Sequence, residues 1–266
     1  MLVVIGIYDS GVGGLSVWRE LRQYTKAKLL YFGDTCHVPY GEKTPEQLES
    51  YFWGIVGFFM ELGCQGVVVA CNTSSALALP RVKDRVALPV FGIIESAVRA
   101  TLAVSKGRVG ILATRATAAS GVYERSFRQV CPEGQVFVQS APRLVPLIEQ
   151  GQIESQVTRD ALREYLAPLL EQGVDTLLLG CTHYPFLQEL LVDLVGSSVS
   201  IVDPAPALAL QVTEALADLD ENAGEGGALT EFWVSGDPIA FKDTAERLLQ
   251  ERLPTVQLHP LSGERT

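Results

Sequence analysis

The sequence lacks an apolar run long enough to cross a bilayer. Even the apolar stretch Tyr51–Met60 is short and lies between Glu49 and Glu61, whereas a membrane-spanning helix needs about 20 apolar residues. The N-terminal segment also lacks the basic region of a secretory signal peptide, because aliphatic residues lead directly to Asp9. We therefore expect a cytoplasmic protein with no membrane partner.

Basic side chains are also scarce. The 266-residue chain has 21 Lys and Arg against 31 Asp and Glu, which gives a formal net charge of −10. This charge argues against nucleic acid and anionic membranes as partners, because both need clustered basic residues. An anionic small-molecule ligand would then be held by backbone N–H groups and helix N-termini.

Cysteine is infrequent, and its spacing matches no metal or redox motif. The five cysteines, an odd number without a C-x-x-C pair, are Cys36, Cys64, Cys71, Cys131 and Cys181. We expect reduced thiols and no metal site. For Cys36, Cys64 and Cys131 we expect a core-filling role.

Two short segments of the chain are nearly the same. Val67-Val68-Val69-Ala70-Cys71-Asn72-Thr73 and Leu177-Leu178-Leu179-Gly180-Cys181-Thr182-His183 each have three aliphatic residues, a small residue, a cysteine and a polar sequel. Each pattern predicts a buried parallel strand that ends at a cysteine, where open α/β sheets bind their ligands. One such thiol is usually a packing residue, but two with matching sequels indicate a pair of thiols facing one site. A thiol pair suits proton transfer from one face of a carbon to the other.

Aliphatic runs alternate with helical periodicity along the whole chain, which predicts an α/β fold with largely parallel sheets. The predicted strands are Leu2–Tyr8, Lys28–Phe32, Gly66–Ala70, Val90–Ile94, Arg108–Ala113, Val136–Ser140, Thr176–Gly180, Ser200–Val202, Thr230–Ser235 and Val256–His259. The clearest predicted helices are Leu15–Gln23, Pro45–Leu62, Ala118–Gln129, Ile153–Gln172 and Pro238–Gln250.

Ten strands are many for one doubly wound sheet of this length, so we expect two pseudo-symmetric α/β lobes with the site in the cleft between them. The first lobe would contain residues 1–95 and 205–266, and the second residues 96–204. The acidic, glycine-rich segment Asp218–Gly227 would be a linker that brings the last strands back to the first lobe.

Three loops are further candidates for the site, each with a plain structural alternative. Asp9-Ser10-Gly11-Val12-Gly13-Gly14 can direct amide N–H groups at a carboxylate and Asp9 at an ammonium, or it is simply a tight turn. Pro39-Tyr40-Gly41 can present backbone N–H groups at a cleft, or it is an ordinary loop. Thr114 follows a predicted strand and is either a ligand donor or a helix N-cap.

Two titratable side chains complete the candidate set. His183 lies two residues after Cys181, where an imidazole can act as an acid or tune the thiol, although most histidines are merely hydrogen-bonded. Glu149 follows apolar residues and is either a buried carboxylate near the site or a solvated helix end.

Together these motifs closely resemble the glutamate racemases of the aspartate/glutamate racemase superfamily. The resemblance includes Asp9–Gly14, Pro39–Gly41, Cys71–Thr73, Leu144–Leu147 with Glu149, and Gly180–Pro185, and it covers nearly the whole chain in the family's order. The chain departs from many relatives at Ser96-Ala97, where they have Pro-Gly, and at Ala141, where they often have cysteine. Both departures lie outside the catalytic motifs.

The resemblance implies a cofactor-independent interconversion of L- and D-glutamate that supplies D-glutamate for peptidoglycan. Cys71 and Cys181 would be the two bases, assisted by Asp9 and His183 respectively, with Glu149 as a further catalytic candidate. The implied substrate-binding residues are Asp9, Ser10, Tyr40, Gly41, Asn72, Thr73, Thr114, Thr182 and His183.

Three other functions stay open on the sequence alone. Another isomerase of the superfamily, such as an aspartate racemase, would keep both thiols. A two-lobed binding protein would share the cleft, although the paired thiols count against it. A pyridoxal-dependent racemase needs a Schiff-base lysine, and no lysine follows a strand within a convincing phosphate cup. A homodimer also stays open, because the sequence identifies no exposed apolar stripe.

Overall fold

The computed structural model describes residues 3–217 and 229–261, so the predicted linker Asp218–Gly227 lies outside the described residues. The described chain contains ten strands. They are β1 (Val4–Asp9), β2 (Lys28–Gly33), β3 (Gly66–Val69), β4 (Val90–Gly92), β5 (Arg108–Ala113), β6 (Gln135–Ser140), β7 (Thr176–Gly180), β8 (Ser200–Val202), β9 (Thr230–Val234) and β10 (Val256–Leu258).

The strands form two separate parallel sheets. The first has the order β10-β9-β2-β1-β3-β4 and the second β6-β5-β7-β8, and every pair within them is parallel. The predicted α/β class with parallel sheets is confirmed. β9 and β10 lie in the first sheet, whereas the lobe boundaries at residues 95 and 205 stay a prediction.

Helices cover both faces of each sheet. They are α1 (Leu15–Tyr24), α2 (Pro45–Glu61), α3 (Asn72–Leu77), α4 (Leu79–Val82), α5 (Ile93–Leu102), α6 (Arg115–Ser120), α7 (Val122–Val130), α8 (Leu144–Glu149), α9 (Gln156–Glu171), α10 (Gln188–Val195), α11 (Ala205–Ala215) and α12 (Pro238–Leu249). Short 3-10 helices occur at Tyr40–Glu42, Lys83–Arg85 and Tyr184–Leu187.

Local sequence explains where the long helices begin. The Thr44 hydroxyl accepts a hydrogen bond from the Gln47 N–H while the Gln47 side chain accepts one from the Thr44 N–H, a capping box that starts α2. The Ser155 hydroxyl accepts from the Thr158 N–H, so α9 begins at Gln156 and not at the predicted Ile153.

The single predicted helix Ala118–Gln129 is wrong, because the chain forms two helices there. Gly121 has a φ of +64° and ends α6, after which α7 begins at Val122. Only glycine adopts this left-handed conformation without a steric penalty, so the break depends on this residue. The predicted strand Val90–Ile94 is also too long, since α5 begins at Ile93.

The central strands of both sheets are buried on both faces, as parallel sheets with helical crossovers require, whereas the edge strand β6 has no fully buried residue. Every residue of β3 and of β7 is buried, and aromatic rings such as Phe52 and Phe59 from α2 fill the core beside the first sheet. Within the described residues, no helix is both long and apolar enough to span a membrane.

Candidate active site

The candidate residues come from the carboxyl ends of strands in both sheets. Asp9 ends β1, and Cys71 follows β3 by two residues in the first sheet. Thr114 directly follows β5, and Cys181 directly follows β7 in the second sheet. All four are less than a tenth exposed, so the carboxyl edges of the two sheets meet at a site that is shielded from water.

Both cysteine thiols are buried. Each residue is 5% exposed. Burial raises the pKa of Cys71 above its usual range, and the nearby Asp9 carboxylate and the charge of Cys181 raise it further. A backbone hydrogen bond from Ser74 lowers it in part. The charge of the thiol at the end of β7 therefore contributes to the pKa of the thiol that follows β3.

Asp9 joins the two sheets through its carboxylate. It accepts a hydrogen bond from the Thr182 hydroxyl at 2.9 Å across the cleft and from the Gly11 N–H at 3.2 Å within its own loop. The Ser10 hydroxyl is a weaker donor at 3.4 Å. Burial raises the pKa of Asp9, while the charge of His183 and the Thr182 hydrogen bond lower it in part.

His183 lies in a chain of contacts that starts at Cys181. Its Nδ1 is 3.7 Å from the Cys181 Sγ, and its Nε2 is 2.7 Å from Glu149 Oε1. The same carboxylate oxygen accepts a hydrogen bond from the Val12 N–H at 3.2 Å. Burial lowers the pKa of His183, but the hydrogen bonds to Cys181 and Glu149 raise it more, so the pKa lies well above its usual value. The arrangement can hold an imidazolium beside the thiol.

The glycines after Asp9 allow this close contact between the sheets. A Cβ on Gly11 would lie 2.2 Å from Glu149 Oε1, and one on Gly13 would lie 2.3 Å from His183 Nδ1. Real Cβ atoms do not approach other atoms this closely. The loop after β1 is therefore built of glycine because side chains of the second sheet pack directly on its backbone.

Threonine hydroxyls form a second bridge across the cleft. Thr73 Oγ1 is 3.0 Å from Thr114 Oγ1 and 3.1 Å from Thr117 Oγ1. Thr114 is also the N-cap of α6, because its hydroxyl accepts from the Thr117 N–H. Gly41 lies against this cluster, since a Cβ there would be 2.9 Å from the Thr114 Cβ.

Tyr40 points away from the hydroxyl cluster. Its phenol donates a 2.5 Å hydrogen bond to Asp34 Oδ2, and the Ser235 hydroxyl donates to the other carboxylate oxygen at 2.6 Å. His37 Nδ1 lies 2.8 Å from the same oxygen as Ser235. The Tyr40 hydroxyl is therefore occupied within the first sheet's own loops, and substrate binding by Tyr40 stays a prediction.

Asn72 has one amide atom bound and the other unbound. Its Oδ1 accepts a 2.5 Å hydrogen bond from the Tyr123 hydroxyl. Its Nδ2 is buried and has no hydrogen-bond partner among the described residues. Because a buried N–H group without a partner is costly, this donor is available for a ligand.

Sequence reasoning missed Thr117, Asp34 and Tyr123. Thr117 could have been found, because it lies three residues after the N-cap Thr114, where a helix brings side chains together. The contacts of Asp34 with Ser235 and of Tyr123 with Asn72 join distant segments, for which the sequence carries no local signal.

The remaining cysteines differ from the prediction that all three fill the core. Cys64 is buried, and burial raises its pKa to about 12. Cys36 is exposed and Cys131 is partly exposed, because both lie in loops at the ends of elements. Within the described part of the chain, no group of three or more His, Cys, Asp or Glu side chains is placed to hold a metal ion.

Comparison with known proteins shows the family and the fold of this chain. Residues 5–212 match the family model of Asp/Glu/hydantoin racemases. The chain is 43% identical to a glutamate racemase of Desulforudis audaxviator, over 92% of this chain and 93% of the relative. Its fold is similar to a glutamate racemase isoform from Bacillus anthracis, with a TM-score of 0.91 and 31% identity over 97% and 98% of the two chains. A glutamate racemase from Francisella tularensis solved with D-glutamate is 27% identical, with a TM-score of 0.89 over 98% and 99%.

Proposed function

Because the chain belongs to the Asp/Glu/hydantoin racemase family, we propose that it interconverts L- and D-glutamate by a two-thiol proton transfer. The relatives named above carry the substrate assignment, since they are called glutamate racemases and one was solved with D-glutamate bound. The observation that carries the mechanism is a pair of buried thiols, one after a strand of each sheet. Hydrogen bonds from Thr182 to Asp9 and from Tyr123 to Asn72 join the segments of the two thiols across the cleft.

In this proposal Cys71 and Cys181 act on opposite faces of the substrate Cα. One thiolate takes the α-proton and becomes a thiol, while the other thiol gives its proton to the opposite face and becomes a thiolate. The product is the other enantiomer, and the charge has moved from one sulfur to the other. Both transfers use the chain's own side chains, so the proposal needs no cofactor.

The two cysteines have different charged neighbours. His183, whose pKa is raised by its bonds to Cys181 and Glu149, can stand beside Cys181 as an imidazolium. Burial and the Asp9 carboxylate instead favour the neutral thiol at Cys71. The substrate ammonium offsets that negative neighbourhood, so a Cys71 thiolate becomes accessible only with substrate bound.

The α-proton of an amino acid is far less acidic than a thiol, so the carbanion needs fixed donors in a dry site. Such donors are the buried Asn72 Nδ2, which has no hydrogen-bond partner in the described part of the chain, and the threonine hydroxyls. We propose that Asp9, Ser10, Tyr40, Gly41, Asn72, Thr73, Thr114, Thr182 and His183 bind the substrate.

The physiological role follows from the reaction. We place the enzyme in the cytoplasm, where it would supply D-glutamate for peptidoglycan synthesis. Growth of a D-glutamate-requiring bacterial strain on expression of this chain would support that role. Failure of an active enzyme to restore growth would contradict it.

Racemisation in deuterated water tests the proposed reaction. The purified protein, with no cofactor added, is incubated with L-glutamate or D-glutamate and followed by circular dichroism and proton NMR. We expect the optical signal of either enantiomer to fall to zero while deuterium enters at Cα, with D-aspartate turned over much more slowly. A protein that only binds glutamate would leave both signals unchanged, and equal turnover of D-aspartate would contradict the substrate assignment.

A further inference from the structure

Tyr123 lies between the two cysteine segments and contacts both. It is on α7, beside the second sheet, and is 1% exposed. Its Cε2 is 3.2 Å from the position that a Cβ on Gly180 would take, so the ring lies against the residue that precedes Cys181. Its hydroxyl reaches across the cleft to the residue that follows Cys71, with 2.5 Å between that oxygen and Asn72 Oδ1.

This contact explains the glycine before Cys181. The first segment has Ala70 and the second has Gly180. A Cβ at position 180 would lie 2.9 Å from the Leu112 carbonyl oxygen and 3.2 Å from the Tyr123 ring. Glycine at this position therefore lets the ring pack on the end of β7.

The hydrogen bond fixes which way the Asn72 amide faces. A phenol O–H donates to the amide oxygen, so Oδ1 is engaged and the amide plane is set. Nδ2 is then left as a buried donor with no partner among the described residues. Burial and the charge of Cys181 raise the pKa of Tyr123, so its hydroxyl keeps its proton and stays a donor. Without this anchor, the amide could rotate and present its oxygen where a donor is needed.

We propose that Tyr123 is a positioning residue, which holds the Asn72 amide so that Nδ2 donates to a carboxylate of the substrate. This inference rests on the proposed racemisation of glutamate. Tyr123 packs beside the second sheet, whereas Asn72 follows a strand of the first. Asn72 Nδ2 is therefore oriented only when Tyr123 contacts both cysteine segments at once. Tyr123 itself touches neither proton in transfer.

Tyr123→Phe removes the anchoring hydroxyl and keeps the ring on Gly180. One hydrogen bond contributes roughly 0.5–1.5 kcal/mol, which corresponds to about a twofold to tenfold change in an equilibrium constant. We expect KM for both enantiomers to rise about fivefold with kcat changed less than twofold, because a lost ground-state contact weakens binding more than chemistry. Since the two enantiomers are equal in energy, kcat/KM must fall by the same factor in both directions.

The matched control is Tyr165→Phe, which removes a tyrosine hydroxyl from the same lobe. That hydroxyl accepts a hydrogen bond from Arg143 and has no part in the site. We expect its kinetic constants to equal those of the unsubstituted enzyme. An equal rise of KM in both variants would overturn the inference, because the effect would then reflect a general loss of packing.

A double-mutant cycle with Asn72→Ala separates positioning from structure. We expect Tyr123→Phe to have no further effect on KM once Asn72 is alanine. Additive effects on KM would overturn the inference. The same four proteins are unfolded in urea, where non-additive unfolding free energies report the hydrogen bond independently of activity. If the unsubstituted enzyme does not racemise glutamate, the proposed function fails, whereas unchanged KM in an active Tyr123→Phe enzyme overturns this inference alone.

Discussion

Glu149→Gln is the substitution that most directly tests how the site holds a charge on His183. The carboxylate is 2.7 Å from His183 Nε2 and also accepts from the Val12 N–H. Glutamine keeps the shape and an accepting oxygen, so both hydrogen bonds can form. Only the negative charge is removed, and with it the stabilisation of the imidazolium.

The size of the effect follows from the geometry. A hydrogen bond that involves a charged group contributes about 1.5–3 kcal/mol, and a neutral one about 0.5–1.5 kcal/mol. The Glu149 side chain is 21% exposed and that of His183 is 2% exposed, so solvent screens the pair only in part. Losing the charge should cost the imidazolium about 1.5 kcal/mol of stabilisation, so the pKa of His183 should fall.

Proton NMR measures this shift because the chain has only three histidines, His37, His183 and His259. The ring resonances are followed against pH in both proteins, and His183→Gln identifies the relevant signal. Glu164→Gln is the control, since Glu164 pairs with the exposed Arg143 away from the site. An equal His183 pKa in the unsubstituted protein and in Glu149→Gln would refute the proposed role of Glu149 as the partner that keeps the imidazole charged.

Three further predictions concern contacts within the site. Gly13→Ala should abolish racemisation, because its Cβ would lie 2.3 Å from His183 Nδ1. Gly57→Ala in α2, where a Cβ meets no atom of the described residues within 4 Å, should keep activity and gain about 0.5–1 kcal/mol of stability. Equal activities of the two variants would contradict this. The raised pKa of His183 should add folding stability at low pH that is lost as pH rises from 6.5 through the pKa of the folded state. Urea unfolding should show this pH dependence in the unsubstituted protein and not in His183→Gln. The same pH dependence in both proteins would argue against the contribution of His183. Thr114→Val should raise KM for glutamate about fivefold, because it removes the hydroxyl 3.0 Å from Thr73; steady-state kinetics with an unchanged KM would exclude Thr114 from binding.

The strands could be predicted because buried parallel strands are nearly continuous aliphatic runs. β5 (Arg108–Ala113) and β7 (Thr176–Gly180) have the bounds that the sequence predicts. The break at Gly121 could not be predicted in this way. A glycine is tolerated inside a helix, and whether its φ is positive depends on how α6 and α7 pack on the rest of the fold.

The site shows the same division between local and distant information. The paired cysteines could be identified because each strand-end motif is contiguous in sequence. The partners that tune them are not contiguous, since Glu149 and His183 are 34 residues apart and Thr73 and Thr114 are 41 apart. Periodicity places each residue on its own element, but only the tertiary packing of those elements brings these pairs into contact.

The central claim is that the two sulfurs act on opposite faces of one carbon. If so, an enzyme with a single sulfur can still exchange the α-proton of one enantiomer but cannot deliver a proton to the other face. General acid–base catalysis alone contributes roughly 10²- to 10⁴-fold, so Cys71→Ala and Cys181→Ala should each lose racemisation by at least that factor while remaining folded.

Deuterium exchange by Cys71→Ala and Cys181→Ala, measured separately with L-glutamate and D-glutamate, tests this claim most directly. The two-thiol arrangement predicts that neither variant inverts the substrate and that the two variants exchange opposite enantiomers. Exchange of the same enantiomer by both variants, or full racemisation by either, would contradict it.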